Sequence, residues 1–398
     1  MEKFLSVRDV PLRGRRTFLR VDLNVPVKEG RITDDTRIRS AVDTIRFLLD
    51  GGAAVVACSH LGRPKGRVVS SLSLAPVAQR LAALLPGRTV ALASDVAGPD
   101  ARAKAAALKE GELLLLENVR FEPGETEGDA ALAEALQRLA PDLYVNDAFG
   151  AAHRPHASVF ALPRRYGQVA MGFLLERELT YLLGKLGHPE RPYLALLGGA
   201  KVSDKIPVLR SLVEQVDALC IGGAMAYTFL AARGVATGAS RVEADQVETA
   251  AAILARAAER RVTVHLPEDH VVSSGIEDEA GARPVASREI PGGLVGLDIG
   301  PSTAGAYAAA VALARTVLWN GPMGVFERKA FREGTMAVAR ALADSSALTV
   351  VGGGDSVAAL HAAGVADRVS HISTGGGASL ELLAGDDLPG VAVLTRAR

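Results

Sequence analysis

The sequence predicts an α/β protein built from two doubly wound parallel-sheet (Rossmann-like) domains joined by a helix, with an interdomain cleft. Three observations lead there. Short, continuously apolar runs alternate with longer amphipathic patterns almost from end to end, as parallel strands covered on both faces require. The chain has 398 residues, enough for two domains with separate cores. Polar, glycine-rich or arginine-bearing segments fall just after the apolar runs, where open α/β sheets place their ligand sites.

In order, the predicted strands of the first half are 17–21, 53–57, 89–92, 113–116 and 143–145, with helical stretches over 36–49 and 74–85 between them. In the second half they are 193–197, 218–221, 262–265, 294–298, 317–319 and 348–351. Residues 176–186 read as one helix with a charged and an apolar face, stopped by Gly187-His-Pro189. The boundary is therefore expected near 173–190: a first domain over 1–172, a connecting helix over 173–190 and a second domain over 191–385.

Composition excludes several classes. Hydrophobic residues make up 48% and charged residues 23%, with 45 basic and 45 acidic side chains, so a general nucleic-acid or membrane binder is not expected. Residues 1–185 carry a net charge of +4 and the remainder −4, a bias that suits a small anionic ligand in the first half. The only two cysteines, Cys58 and Cys220, sit in apolar runs and read as buried thiols, which with an N-terminus lacking an apolar signal core predicts a cytoplasmic protein.

The most informative stretch is Leu197-Gly-Gly-Ala-Lys-Val-Ser-Asp-Lys205. It lies between a predicted strand and a predicted helix. Glycines there permit close backbone approach to a ligand, and Lys201 and Lys205, four apart, can point the same way on a helix. Of 45 basic residues nine are lysine, and two of them fall in this turn. A polyphosphate site and a plain connector with solvated lysines both fit the stretch alone. No Gly-x4-Gly-Lys-Ser/Thr loop and no full Gly-x-Gly-x-x-Gly fingerprint is found.

In the first half, four strand exits carry polar groups: Asp22-Leu-Asn24, His60-Leu-Gly-Arg63, Glu117-Asn-Val-Arg120 and Asn146 to His156. Arg37 opens the first helix. Parallel strands would bring these exits to one edge, gathering Arg37, Arg63, Arg120 and Arg154 with His60 and His153 into a basic pocket. Arginine forks match carboxylates and phosphates, so a small phosphorylated acid is the expected ligand, with Asp22 and Asn24 accepting from a hydroxyl. A surface ion pair is the alternative for any single arginine. In the second half, Asn320 and Glu327 lie in a Gly/Pro turn, Gly352-Gly-Gly-Asp-Ser356 puts an acid at a helix start, and Ser373-Thr-Gly-Gly-Gly377 approaches another helix with bare N–H groups. Asp355 facing phosphates suits Mg2+; its alternative is a helix cap.

Taken together, Arg20-Val-Asp-Leu-Asn-Val-Pro26, Ser59-His-Leu-Gly-Arg-Pro64, Leu116-Glu-Asn-Val-Arg-Phe121, Val145 to Arg154, Leu197 to Lys205, Trp319 to Glu327, Gly352 to Ser356 and Ser373 to Leu382 strongly resemble phosphoglycerate kinases, in family order. The resemblance implies reversible phosphoryl transfer between ATP and 3-phosphoglycerate, giving ADP and 1,3-bisphosphoglycerate, by a monomer that closes about a hinge. It implies glycerate binding by Asp22, Asn24, Arg37, His60, Arg63, Arg120 and Arg154. It implies Mg-nucleotide binding by Lys201, Lys205, Asn320, Glu327, Gly353, Gly354, Asp355 and Ser356, with the metal on Asp355. Arg37, Lys201, Gly376 and Gly377 would stabilise the moving phosphoryl group. By the same resemblance the tail, about 386–398, returns to the first domain. Two positions depart from the family pattern: Ser302 where many relatives have lysine, and Asp43 where proline is expected. A non-catalytic two-domain binder and a nicotinamide dehydrogenase are the rival classes; the absent fingerprint disfavours the latter.

Overall fold

A computed structural model describes residues 4–395; the first three residues and the last three of the tail lie outside the described residues. The chain divides into two compact units. The first runs to Thr180 and takes back the chain from Asp387; the second spans Tyr181–Asp386.

The first unit is built on a six-stranded parallel sheet in the order Val90–Leu92, Leu113–Leu115, Ala54–Cys58, Arg16–Val21, Leu143–Asp147, Val169–Met171. Its central strands are buried at nearly every position rather than at alternate ones, so both faces are covered. The helix Thr36–Asp50 shows how the pattern reads in space: Ile38, Ile45, Leu48 and Leu49 join the core of the sheet, while Arg39 and Asp43 stay outside. Its start is fixed by Asp34, whose carboxylate accepts from the Thr36 N–H at 2.8 Å and the Thr36 hydroxyl at 2.6 Å. That start puts Arg37 in the first turn.

The second unit repeats the plan. Its parallel sheet runs Thr263–His265, Ala218–Ile221, Tyr193–Leu197, Thr316–Asn320, Leu348–Gly352, His371–Ile372. Trp319, Tyr307 and Met336 anchor its core. In each unit the strand order reverses beside the first strand, the position where doubly wound sheets open a ligand crevice.

Four expectations need correction. The 294–298 run is a strand (Val295–Ile299), but it pairs antiparallel with His270–Ser273 in a separate three-stranded sheet completed by Arg283–Val285. Burial alone does not tell a sheet's partners. The edge strands Val169–Met171 and His371–Ile372 lie outside the predicted set; at three and two residues they leave too short a pattern to read. The connecting helix starts at Phe173, in line with the 173–190 segment but ahead of the 176–186 pattern, and from Thr180 to Lys185 it is wound as a π-helix where one regular helix was expected. Its N-terminus is held by buried Asp147, whose Oδ1 accepts from the N–H groups of Leu174 and Leu175. Finally, Lys201 and Lys205 do not share a helix face: the helix begins at Ile206, and residues 201–205 are a turn.

The returning tail is short and well tied. Its single helical turn, Pro389–Ala392, is held where the Gly390 N–H donates to the Ala152 carbonyl at 2.8 Å and the Asn146 amide donates to the Gly390 carbonyl at 3.0 Å.

Candidate active site

In the first unit, the strands whose exits carry the predicted set are neighbours: Leu113–Leu115, Ala54–Cys58, Arg16–Val21 and Leu143–Asp147 lie side by side. Being parallel, they deliver Glu117–Arg120, His60–Arg63, Asp22–Asn24 and Asn146–Arg154 to one edge. Hydrogen bonds tie these loops together. Arg37 Nη1 reaches Asp22 Oδ2 and the Asn24 carbonyl, each at 3.2 Å. Asn24 Oδ1 accepts from the Gly62 N–H at 2.9 Å, and the Gly62 carbonyl accepts from Arg120 Nη1 at 2.8 Å. Asp22 and Asn24 were expected to face a ligand hydroxyl; part of their bonding capacity is spent on holding the loops.

Asn118, which the sequence pattern leaves without a role, is the brace beneath this set. Its amide donates to the carbonyls of Leu61 (2.7 Å) and Leu72 (2.9 Å), and its Oδ1 accepts from the N–H groups of Leu61 and Arg120. A polar side chain inside Leu116-Glu-Asn-Val is the only signal, and it does not distinguish a brace from a ligand contact.

The basic groups crowd one another. Burial, then Arg20 and Arg154, lower the Arg120 guanidinium to about 10, with Glu125 and Asp22 opposing. Burial, then Arg120, Arg20 and Arg154, take His156 down to about 4. Cations held this close favour an anion between them. Arg154 is exposed and donates from Nε to His153 Nε2 at 3.2 Å. Arg63 is exposed and has no hydrogen bond or ion pair among the described residues.

The second unit builds its loops differently. The strands Tyr193–Leu197, Thr316–Asn320, Leu348–Gly352 and His371–Ile372 are again contiguous, and the turns after them carry the second predicted set. Here backbone meets backbone. A Cβ on Gly198 would lie 2.0 Å from the Pro322 carbonyl oxygen, and one on Gly321 would lie 2.2 Å from that of Gly198. The Gly199 and Gly223 N–H groups donate to the carbonyls of Pro322 and Met323 at 3.1 and 2.8 Å. Gly198 is thus glycine because of the neighbouring turn, which corrects the expectation that a ligand demands it. Gly353 (φ 90°) and Gly376 (φ 53°) hold left-handed conformations at the starts of the helices Gly354–Ala362 and Gly377–Ala384.

Lys201 is exposed and has no partner among the described residues. Lys205 is part-buried and its Nζ donates to Asn320 Oδ1. Burial lowers its ammonium to about 8, with Asp204 and Asp355 opposing. Asn320 is 1% exposed and its Nδ2 is left without a partner. Ser356 is fully buried, and its hydroxyl accepts from the Gly321 N–H at 2.6 Å. It joins two turns of the site, where ligand contact was expected. Asp355 is exposed in the first turn of its helix and makes no capping bond, so the helix-cap alternative does not hold.

A cavity of about 450 Å3 opens beside these groups, walled by Gly199, Gly223, Leu297, Pro322 and Val325, with Glu327 and Asp355 at its polar side. That volume is in the range of small-ligand pockets. Val295–Leu297, from the antiparallel sheet, supply a wall that no sequence signal places there. Glu243 is a second unpredicted member. It accepts from the Val202 and Ser203 N–H groups (2.5 and 3.1 Å) and from the Ser203 hydroxyl (2.7 Å), fixing the lysine turn. Burial works against its charge, but these bonds hold its carboxyl below the usual range.

Among the described residues no cluster of three or more His, Cys, Asp or Glu could hold a metal by itself, and no helix is long and apolar enough to cross a membrane.

A family model described as phosphoglycerate kinase matches residues 7–386. The chain is 55% identical over 391 residues to the phosphoglycerate kinase of Moorella thermoacetica, covering 98% of this chain and 99% of the relative. It is 53% identical to that of Roseiflexus sp., at 98% and 99% coverage. Among solved structures it is similar to phosphoglycerate kinase from Coxiella burnetii (TM-score 0.89, 40% identity, 98% and 99% coverage) and from Pyrococcus horikoshii (TM-score 0.85, 34% identity, 98% of each chain).

Proposed function

The chain belongs to the phosphoglycerate kinase family and moves a phosphoryl group reversibly between ATP and the carboxylate of 3-phosphoglycerate; from that premise we propose which residues carry the chemistry. The first unit binds the glycerate through Asp22, Asn24, Arg37, His60, Arg63, Arg120 and Arg154. The observation that carries this is the bonded chain Asp22–Arg37–Asn24–Gly62–Arg120, which gathers cations at the edge of four contiguous strands. Arg63 and Arg154, exposed and lightly bonded, are left to meet the anion.

The second unit binds the nucleotide. The cavity beside Pro322 and Val325 takes the base and ribose, with Glu327 accepting from ribose hydroxyls. Lys205, Asn320 and the N–H groups from Gly353 and Gly354 face the phosphates, and Ser356, buried beneath them, holds the turn at Gly321 in place. The unpartnered Asn320 Nδ2 is a donor awaiting an acceptor.

Kinases of this family generally use ATP with Mg2+. Among the described residues no cluster would hold that ion by itself; exposed Asp355, in the first turn of its helix, would hold it by one carboxylate, which suits a cation bound mostly by phosphate oxygens and water. When bound there, the ion would neutralise phosphate charge.

The acceptor carboxylate is ionised at neutral pH, so no general base is needed. Catalysis then rests on placement and on neutralising a loose transition state. Arg37, Lys201 and the N–H groups at Gly376 and Gly377 are assigned that role. Since the acceptor set belongs to one unit and the donor set to the other, transfer requires the units to close on both ligands and exclude water. Small-angle scattering with both ligands tests this; an unchanged radius of gyration would count against closure. Free buried thiols at Cys58 and Cys220 support a reducing, cytoplasmic setting. A monomer is proposed with it, and light scattering on the purified chain decides that.

A further inference from the structure

Arg20 is almost wholly buried, at 1% exposure, the only arginine among the described residues to be so, and the assignment above gives it no role. It lies near the end of the strand Arg16–Val21, beneath the acceptor loops. Each of the three nitrogens of its guanidinium has a partner. Nη1 donates to the Val21 carbonyl. Nε donates to the Ser158 hydroxyl at 2.8 Å, and that hydroxyl donates in turn to Glu125 Oε1 at 2.7 Å. Glu125 is fully buried and also accepts from the Ser158 N–H at 2.9 Å, while the Tyr144 hydroxyl pins the Ser158 carbonyl at 2.8 Å. The buried cation is thus compensated by a buried anion through one serine, and its orientation is fixed.

The third nitrogen, Nη2, faces His60 Nδ1 at 3.3 Å. A guanidinium has donors only, and a neutral imidazole has one donor and one acceptor nitrogen. The nitrogen that meets Arg20 must therefore be the acceptor, which leaves the proton on Nε2. The Nε2 atom has no hydrogen-bond partner among the described residues.

We propose that Arg20 is a positioning residue for the acceptor site: anchored by Ser158 and Glu125, it locks His60 as the neutral, Nε2-protonated tautomer, so that His60 meets the anionic acceptor as an oriented N–H donor and not as a cation. This rests on the reading that His60 belongs to the acceptor site. The surroundings agree. Burial, together with Arg20 from its strand, Arg120 from the loop after Leu113–Leu115, Arg37 from its helix and His156 from the segment after Arg154, holds the His60 imidazole well below its usual range. Charge for the anion comes from the arginines, whose protonation does not vary near neutrality, and the histidine adds direction.

Selective 15N-histidine labelling of the full chain reads the tautomer directly, with His60→Gln identifying the resonance. The expected result is a pyrrole-type Nε2 and a pyridine-type Nδ1, unchanged from about pH 6 to pH 8. An imidazolium, or a proton on Nδ1, overturns the lock in the unaltered protein, whatever the variants do. Arg20→Met should give a mixed tautomer and raise KM for 3-phosphoglycerate severalfold with KM for ATP nearly unchanged. Ser158→Ala, which loosens only the anchor, should do the same more weakly. Retained Nε2 protonation in both variants would show that Arg20 is not the cause. Titrating 3-phosphoglycerate separates the two levels. A shift of the His60 Nε2 signal supports its place at the substrate; the predicted tautomer with no shift would leave the lock standing and remove His60, and with it Arg20, from the acceptor site.

Discussion

The two units solve the same problem with different materials. In the first unit, the loops proposed for the acceptor are bound to one another by side chains: Arg37 to Asp22, Asn24 to Gly62, Arg120 to Gly62, and Asn118 beneath them. In the second unit, the loops proposed for the nucleotide are bound by backbone: Gly198 against Pro322, Gly199 and Gly223 against the turn at 322–323. Side-chain bonds to arginine leave charge available for a ligand while ordering it. Backbone contacts leave room for a large, mostly flat ligand and are intolerant of any added atom. The same strand plan therefore yields one site that should fail by losing charge and another that should fail by losing space.

The largest expected effect tests the charged side. Arg37→Ala should lower kcat by about 100-fold or more, with a smaller change in KM for ATP. A near-normal kcat would take Arg37 out of the chemistry. Next comes the crowded side. Gly198→Ala sets a methyl against a carbonyl oxygen and should destabilise the second unit by about 3 kcal/mol or more in chemical denaturation. Gly354→Ala, with open space around it, should leave the melting temperature nearly unchanged, while its methyl should raise KM for ATP by obstructing close approach of phosphate to that backbone. Equal stability of the two variants would dissolve the distinction between glycines kept for packing and glycines kept for ligand.

Lys205 sharpens the comparison through pH. Its ammonium is lowered to about 8 without ligand, and a bound polyphosphate favours the charged form. Above pH 8 binding must first protonate it, so ADP affinity should fall as pH rises from 7.5 to 9, by up to about tenfold per pH unit. Calorimetry across that range checks the slope; a flat profile would mean Lys205 stays charged or stays away. Asp355→Ala should raise the magnesium concentration needed for half-maximal rate, with little change in KM for 3-phosphoglycerate; an unchanged magnesium curve removes Asp355 from the metal. At the small end, Glu214→Gln weakens surface pairs with Arg256 and Arg260 just past the C-terminal end of the helix Ile206–Val213 and should alter neither stability nor rate measurably.

Much of the candidate site is legible because the strands are uniformly apolar and the loops after them are not. Residues 193–197 and 143–145 announce buried parallel strands, and the segments beyond their ends hold candidate site residues. Asn320 closes a strand and Arg120 lies in the segment after one, both marked by apolar runs, and Arg37 sits in the first turn of a helix whose pattern is plain. Long-range partnership is not readable. Nothing local says that Glu243 will hold the N–H groups of Val202 and Ser203, about forty residues away in sequence, or that Val295–Leu297 will leave the parallel sheet to wall a cavity. Nor does a glycine say whether a ligand or a carbonyl demanded it, since both forbid the same Cβ. The lysine turn misleads for a related reason: spacing of four suggests a helix face only where the backbone is helical, and Pro207 at the head of the following helix fits a start no earlier than Ile206.

The tail that comes back at Asp387 also sets an order of events during synthesis. A ribosome delivers the first unit nearly whole, then all of the second, and only afterwards the turn at Pro389–Ala392. Until it emerges, the Asn146 amide lacks its Gly390 carbonyl, and the Ala152 carbonyl, two residues before Arg154, lacks its donor. The loop that carries Arg154 thus waits for a segment made after the whole of the second unit, so a nascent chain can hold a finished second unit while this edge of its first unit still lacks two of its hydrogen bonds.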